Sequence, residues 1–263
     1  MILPKRLLGS TELNVSALGL GTVKLGRNTD VKYPHKFEIP DDKQAANLLA
    51  FAKDLNINML DTAPSYGDSE TRLGKLLKGQ RQQWIIVGKA GEEYEQQQSQ
   101  HNFTRDYIIK SIQRSLKRLN TDYIDLLLIH SDGNDEEIIK NHDIFNTMAI
   151  AKQQGLIRYA GMSTKTVTGG ILALQNSDVA MITYNPINTE ELPVIKEAQI
   201  TNKGILIKKG LASGHIDQID STNPVQTAMN FIFQEPGVNS IILGTINPKH
   251  LENNVQCAIN ALV

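Results

Sequence analysis

The sequence holds a single cysteine, Cys257, in 263 residues, so no disulfide can form within the chain and a reducing compartment, the cytoplasm, is the expected location. It lacks any apolar run near the roughly 20 residues that cross a bilayer. Its opening stretch, MILPKRLLGSTE, turns polar before the apolar region of a secretory signal could form, so no membrane partner is expected. Charge of one sign is missing too: 27 Lys and Arg against 28 Asp and Glu leave a formal net charge of -1, too little to draw in nucleic acid. No GxGxxG fingerprint opens a helix after a strand-like run, which removes support for a Rossmann-type dinucleotide site. The 6 histidines are scattered without a close pair, which argues against a metal-dependent lyase or hydrolase.

What the chain does have is enough apolar material for a sizeable core, 40% hydrophobic against 21% charged. Short apolar runs alternate with longer stretches of helical period from the first quarter to the end. Strands are predicted at 17–20, 57–60, 84–87, 123–129, 157–161, 179–183, 204–207 and 240–243. Helices are predicted at 41–55, 69–77, 104–119, 136–154, 166–175, 190–201, 224–234 and 248–261. In 104–119, Ile108, Ile112, Leu116 and Leu119 share one face, with Thr104 as the expected N-cap. Eight such units predict an α/β fold, a (β/α)8 TIM barrel occupying residues 1–263 as one domain.

Two features fall outside the rhythm. Residues 6–8 and 15, flanking the turn-prone 9–14, predict a short N-terminal β-hairpin that plugs the barrel floor. Segments 27–40 and 91–102 are polar, follow the first and third strands, and are expected as rim loops that shape or cover a substrate pocket. The chain ends at Val263 soon after the last helix, so substrate selection is expected to rest on these loops.

In a parallel barrel the C-terminal strand ends face the active site. Asp61 closes NINMLD, Tyr66 follows in DTAPSYG, Lys89 closes WIIVGK and His130 closes YIDLLLIH. Singly, each has an ordinary explanation as a cap, a packed ring or a solvated side chain. Together, an acid, a phenol, an amine and an imidazole at one mouth supply what proton transfer to a carbonyl oxygen requires.

These residues resemble the Asp–Tyr–Lys–His tetrad of the aldo-keto reductase family, in its bacterial-type form with a short C-terminus. SLKRLNTDYIDLLLIH is similar to the segment leading to that family's catalytic histidine, GLIRYAGMS to its fifth strand, and PGVNSIILGTINPKHLENN to its last strand and cofactor-holding helix. The resemblance covers nearly the whole chain. It implies an NAD(P)H-dependent oxidoreductase in which Asp61 fixes Lys89, Lys89 acidifies Tyr66, Tyr66 protonates the carbonyl oxygen, and His130 orients the small-molecule carbonyl substrate. NADPH is the implied cofactor, with NADH as the alternative.

The same resemblance assigns cofactor contacts to Gly21, Thr22, Asp61, Ser163, Thr164, Lys208, Leu211, Ser213, Gly214, Gly244, Thr245, His250 and Asn254. Independently, Asn247 before Pro248 predicts a capped helix whose amides and dipole favour a phosphate, although a merely well-capped helix is the better explanation of that segment taken alone. The sequence departs from the family at Met181 and Thr164, where amide side chains are common, and at Lys208, where an aromatic often stacks on the nicotinamide. Lys208 has two readings: a stem covering the ring, or a solvated strand-end lysine. The usual base for the 2′-phosphate is also missing, with Lys249 as the expected substitute. A cofactor-holding regulatory barrel with little turnover is the competing function.

Overall fold

The computed structural model describes residues 2–263. Strands β1 (Lys5–Leu7) and β2 (Asn14–Ser16) pair antiparallel as the expected hairpin. The chain then lays down β3 (Leu18–Gly21), α1 (Asp42–Asp54), β4 (Met59–Asp61), α2 (Ser69–Leu76) and β5 (Ile85–Ala90). A second hairpin follows, β6 (Glu92–Glu95) and β7 (Gln98–His101), before α3 (Arg105–Leu119), β8 (Ile124–His130), α4 (Asp135–Asn141) and α5 (Ile144–Gln153). The rest is β9 (Ile157–Ser163), α6 (Val167–Asn176), β10 (Val179–Thr183), α7 (Leu192–Thr201), β11 (Gly204–Lys208), α8 (Pro224–Phe233), β12 (Ser240–Leu243) and α9 (Pro248–Ala261).

Eight strands close into a parallel barrel in the order β10-β11-β12-β3-β4-β5-β8-β9. Each is followed by a helix, so the periodic apolar faces read from the sequence pack outward-facing strand residues against the helical ring. Inside, Met59, Val87, Leu126, Leu128, Val179, Met181 and Leu206 fill the barrel and meet Leu8, Leu13 and Val15 of the N-terminal hairpin. The floor is therefore sealed by apolar side chains, and every polar strand end is left for the opposite mouth.

Three expectations change. The single helix predicted over 136–154 is two, α4 and α5, because Asp143 takes a left-handed conformation (φ 48°) that a short polar side chain tolerates. The break lets α4 pack on α6 while α5 packs on β9. The loop 91–102 is the ordered hairpin β6–β7, turning through Gln96 and Gln97, both at positive φ. Thr104 stands at the N-cap of α3 but makes no capping bond; its hydroxyl donates to Asn102 Oδ1 instead (2.7 Å).

Candidate active site

Three adjacent barrel strands carry the tetrad. Asp61 ends β4, Lys89 lies next to last in β5 and His130 ends β8, so neighbouring parallel strands deliver all three to one mouth. Tyr66 closes a single 3-10 turn, Pro64–Tyr66, directly after β4. Gly67 at φ 60° turns the chain away there, and a Cβ on it would lie 2.2 Å from the Gly26 carbonyl oxygen. The aromatic is thereby held against the mouth by backbone geometry that a larger residue at 67 would break.

The Lys89 ammonium donates to Asp61 Oδ1, to the Tyr66 hydroxyl at 3.1 Å and to the Thr62 carbonyl at 3.2 Å, so all three of its protons are used. Lys89 and Asp61 are 2% and 3% exposed, and neither charge would persist at that burial without the other. The Tyr66 hydroxyl in turn donates to Asp61 Oδ2 (3.3 Å). The Tyr66 ring meets the His130 ring edge to face, centroids 6.4 Å apart. The four residues read from the sequence thus form one cluster.

Its electrostatics differ from the sequence expectation. The Tyr66 phenol is pushed well above its ordinary pKa, first by burial, then by the charge of Asp61 and the hydrogen bond it gives that carboxylate. The phenol therefore waits as a fully protonated donor.

Around the cluster lies a cavity of about 950 Å³, at the upper end of ligand-pocket sizes. Gly21, Asp61, Ser163, Lys208, Leu211, Ser213, Gly214, Gly244, Thr245, His250 and Asn254 all line it. Two expected contacts do not. Thr22 is fully buried, donates to the Asp61 carbonyl (2.9 Å) and accepts from Ser69 (2.7 Å), so it braces β3 against β4 instead of facing a ligand. Thr164 is buried behind Ser163, and its hydroxyl has no hydrogen-bond partner.

Lys208 follows neither sequence reading in full. Its ammonium bends inward to Ser163 Oγ (2.9 Å) and the Thr164 carbonyl (2.5 Å), and burial lowers its pKa to about 7 against the pull of Glu191. Asn247 caps α9 as expected, but it takes the Lys249 and His250 amides for itself, leaving fewer for a phosphate. Lys249 is exposed and does not line the cavity.

The rim supplies what the sequence did not reveal. Tyr33 reaches from segment 27–40 across the mouth, with the Lys24 ammonium 3.9 Å from its ring centre. Its phenol is raised to about 12 by burial and the charge of Asp61. Arg27 stacks over Tyr94 of β6 (3.4 Å), whose hydroxyl donates to Asp30, so the two rim segments are tied into one wall. Lys32, Lys165 and Lys209 gather beside Ser213–Gly214; burial first, then Lys32 and Lys165, lower the Lys209 pKa.

The pattern of the aldo/keto reductase family matches residues 17–218. The chain belongs to that family. The crystal structure of PA4992 from Pseudomonas aeruginosa is 50% identical, covers 100% of this chain and 97% of its own, and superposes with a TM-score of 0.91. An oxidoreductase of Bacillus subtilis, YqkF, is 26% identical over 97% of this chain and 90% of its own length. The L-galactose dehydrogenase of Arabidopsis thaliana is 36% identical over 60% of this chain and 47% of its own. Aldo-keto reductases are oxidoreductases acting on carbonyl and sugar substrates with a nicotinamide cofactor, and this chain is an NAD(P)H-dependent enzyme of that kind.

A nicotinamide dinucleotide fits the residues at this mouth. The crowded lysines near Ser213–Gly214 repel one another until an anion offsets them. No helix of the described residues is long and apolar enough to cross a membrane. No group of three or more His, Cys, Asp and Glu among them is placed to hold a metal ion.

Proposed function

We propose that this aldo-keto reductase reduces a small aldehyde, ketone or sugar-like carbonyl compound with NADPH in preference to NADH, using Tyr66 as the proton donor. The whole chain, 1–263, acts as one unit in a reducing cytoplasm. The observation that carries the reading is the buried cluster in which the Tyr66 hydroxyl sits 3.1 Å from the Lys89 ammonium and Asp61 holds that ammonium.

When bound, the reduced dinucleotide supplies the hydride. The chain's own residues handle the proton and the charge. As the carbonyl oxygen gains negative charge it takes the Tyr66 proton, and Lys89 stabilises the phenolate that remains. Asp61 keeps the ammonium in place throughout, and His130 aligns the carbonyl. The hydroxyl of Ser163 suits a carboxamide, while Lys32, Lys165 and Lys209 suit a pyrophosphate. The charged lining is mainly basic: Lys24, Arg27, Lys32, Lys89, Lys165, Lys208 and Lys209 face Asp30, Asp61 and Glu92. That excess favours the cofactor carrying the additional phosphate.

A panel of aldehydes, ketones and sugars, run with NADPH and NADH separately, tests the reading. Turnover with NADPH on at least one class is the expected result. A rise in Tm with NADPH but no turnover across the panel would favour the regulatory barrel. Tm is the better binding readout, because the single tryptophan, Trp84, is buried just before β5, at the floor and away from the mouth.

A further inference from the structure

The hairpin β6–β7 brings a carboxylate to the tetrad that no part of the reading above uses. Along β6 the side chains alternate: Glu93 points outward to Arg114 and Ser111 of α3, while Glu92 lines the mouth and Tyr94 meets Arg27 and Asp30 of the other rim segment. Glu92 Oε2 lies 2.6 Å from His130 Nδ1, and its Oε1 accepts from Ser99 Oγ across the hairpin (2.7 Å). Ser65 Oγ stands 3.4 Å from the same ring nitrogen.

We propose that Glu92 is a positioning residue for His130, fixing the proton on Nδ1 so that the ring polarises a carbonyl only as the imidazolium, through Nε2–H. This rests on the carbonyl-reduction reading above and adds the protonation state in which His130 works. The geometry leaves little choice. A neutral ring with bare Nδ1 would set that nitrogen's lone pair against a carboxylate oxygen 2.6 Å away, so Nδ1 carries hydrogen. A neutral ring with Nδ1–H has a bare Nε2, which repels a carbonyl oxygen. Only the doubly protonated ring both satisfies Glu92 and donates to substrate.

The surrounding charges set when that form exists. Burial would raise the Glu92 carboxyl, but the His130 contact and the hydroxyls of Ser99 and Ser65 hold it far below the usual carboxylate range. Burial lowers His130, Glu92 raises it in part, and Lys89 and Lys208 lower it further. Tyr66 and Asp61 complete the tetrad side, and His101 Nε2 lies 3.9 Å from Glu92 Oε1 on the hairpin side. Carbonyl reduction should therefore strengthen as pH falls through the His130 titration.

The test pairs turnover with a readout that needs none. Nitrogen-15 NMR of the free protein should show His130 Nδ1 protonated, and Glu92→Ala should release a mixture of tautomers. In kcat/KM against pH, Glu92→Gln should shift the fall on the alkaline side at least one pH unit toward acid, about a tenfold loss near neutrality. Glu92→Asp should restore part of it, and the NADPH Kd should stay unchanged in all three. An Nε2–H tautomer in the wild type, or a Glu92→Gln profile that superposes on the wild type, would overturn the proposal. If the wild type reduces no carbonyl at all, the proposed function fails, while the ring-nitrogen spectra still decide the role of Glu92.

Discussion

The Tyr33 hydroxyl lies so close to Gly244 that a Cβ on that glycine would stand 2.2 Å from it. Two residues more than two hundred positions apart thus meet over the barrel mouth, one from the rim segment after β3 and one from the end of β12. Segment 27–40 is seated on the place where the resemblance puts a cofactor contact.

Gly244→Ala should therefore dislodge the loop with little effect on the fold. The atom in the way is the far end of a flexible side chain, so stability should change by no more than about 1 kcal/mol. Trypsin cleavage at Lys32 and Lys36 should become faster, and Tyr33→Ala in the same background should leave no further change. Equal cleavage rates in wild type and Gly244→Ala would show that the contact does not hold the segment.

Tyr66→Phe removes the proton donor but keeps the ring. Turnover should fall by roughly 10²–10⁴, the range for a lost general acid, while NADPH affinity measured by calorimetry stays within a factor of about two. Near-normal turnover would remove Tyr66 from the mechanism.

Asp61 and Lys89 are a buried ion pair, and breaking such a pair from one side leaves an unmatched charge. Lys89→Met or Asp61→Leu alone should lower stability by about 3–5 kcal/mol, whereas the double replacement should be more stable than either single one. Urea unfolding of the four proteins measures this directly. Additive losses would show that the two charges do not support each other.

Lys208 gives a stability profile of known sign. Its folded pKa is near 7, against about 10.4 in an unfolded chain. Between those values the unfolded chain holds the proton and the folded one does not, so this group's contribution rises with pH over that window and is lost as pH falls toward 7. Burial sets the folded value first, and Glu191, Lys209, Asp135 and Lys165, which face it, adjust it. Relative to Lys208→Met, the wild type should be least favoured near pH 7 and should recover as pH approaches 10. A gap that stays constant with pH would show that the ammonium is not held in an unfavourable place.

The rim hairpin shows where sequence reading stops. Its two-residue turn uses Gln96 and Gln97, both at positive φ, where Asn or Gly would be the ordinary signal. With neither present, EYEQQQSQ reads as a polar loop, and Glu92 is indistinguishable from any solvated acid. Thr22 failed in the opposite way: the resemblance assigned it to a ligand, but its hydroxyl is claimed by the Asp61 carbonyl and Ser69, partners distant in sequence.

By itself the sequence determined the barrel and the tetrad, because both are written in local terms. Short continuous apolar runs and period-3.6 apolar patterns fix strands and helices, and a parallel barrel sends each strand's last polar residue to one mouth. Only the tertiary structure decided which charges those residues feel. Glu92 reaching His130 and Lys208 turning inward to Ser163 both depend on distances across neighbouring strands and loops, which no local pattern encodes.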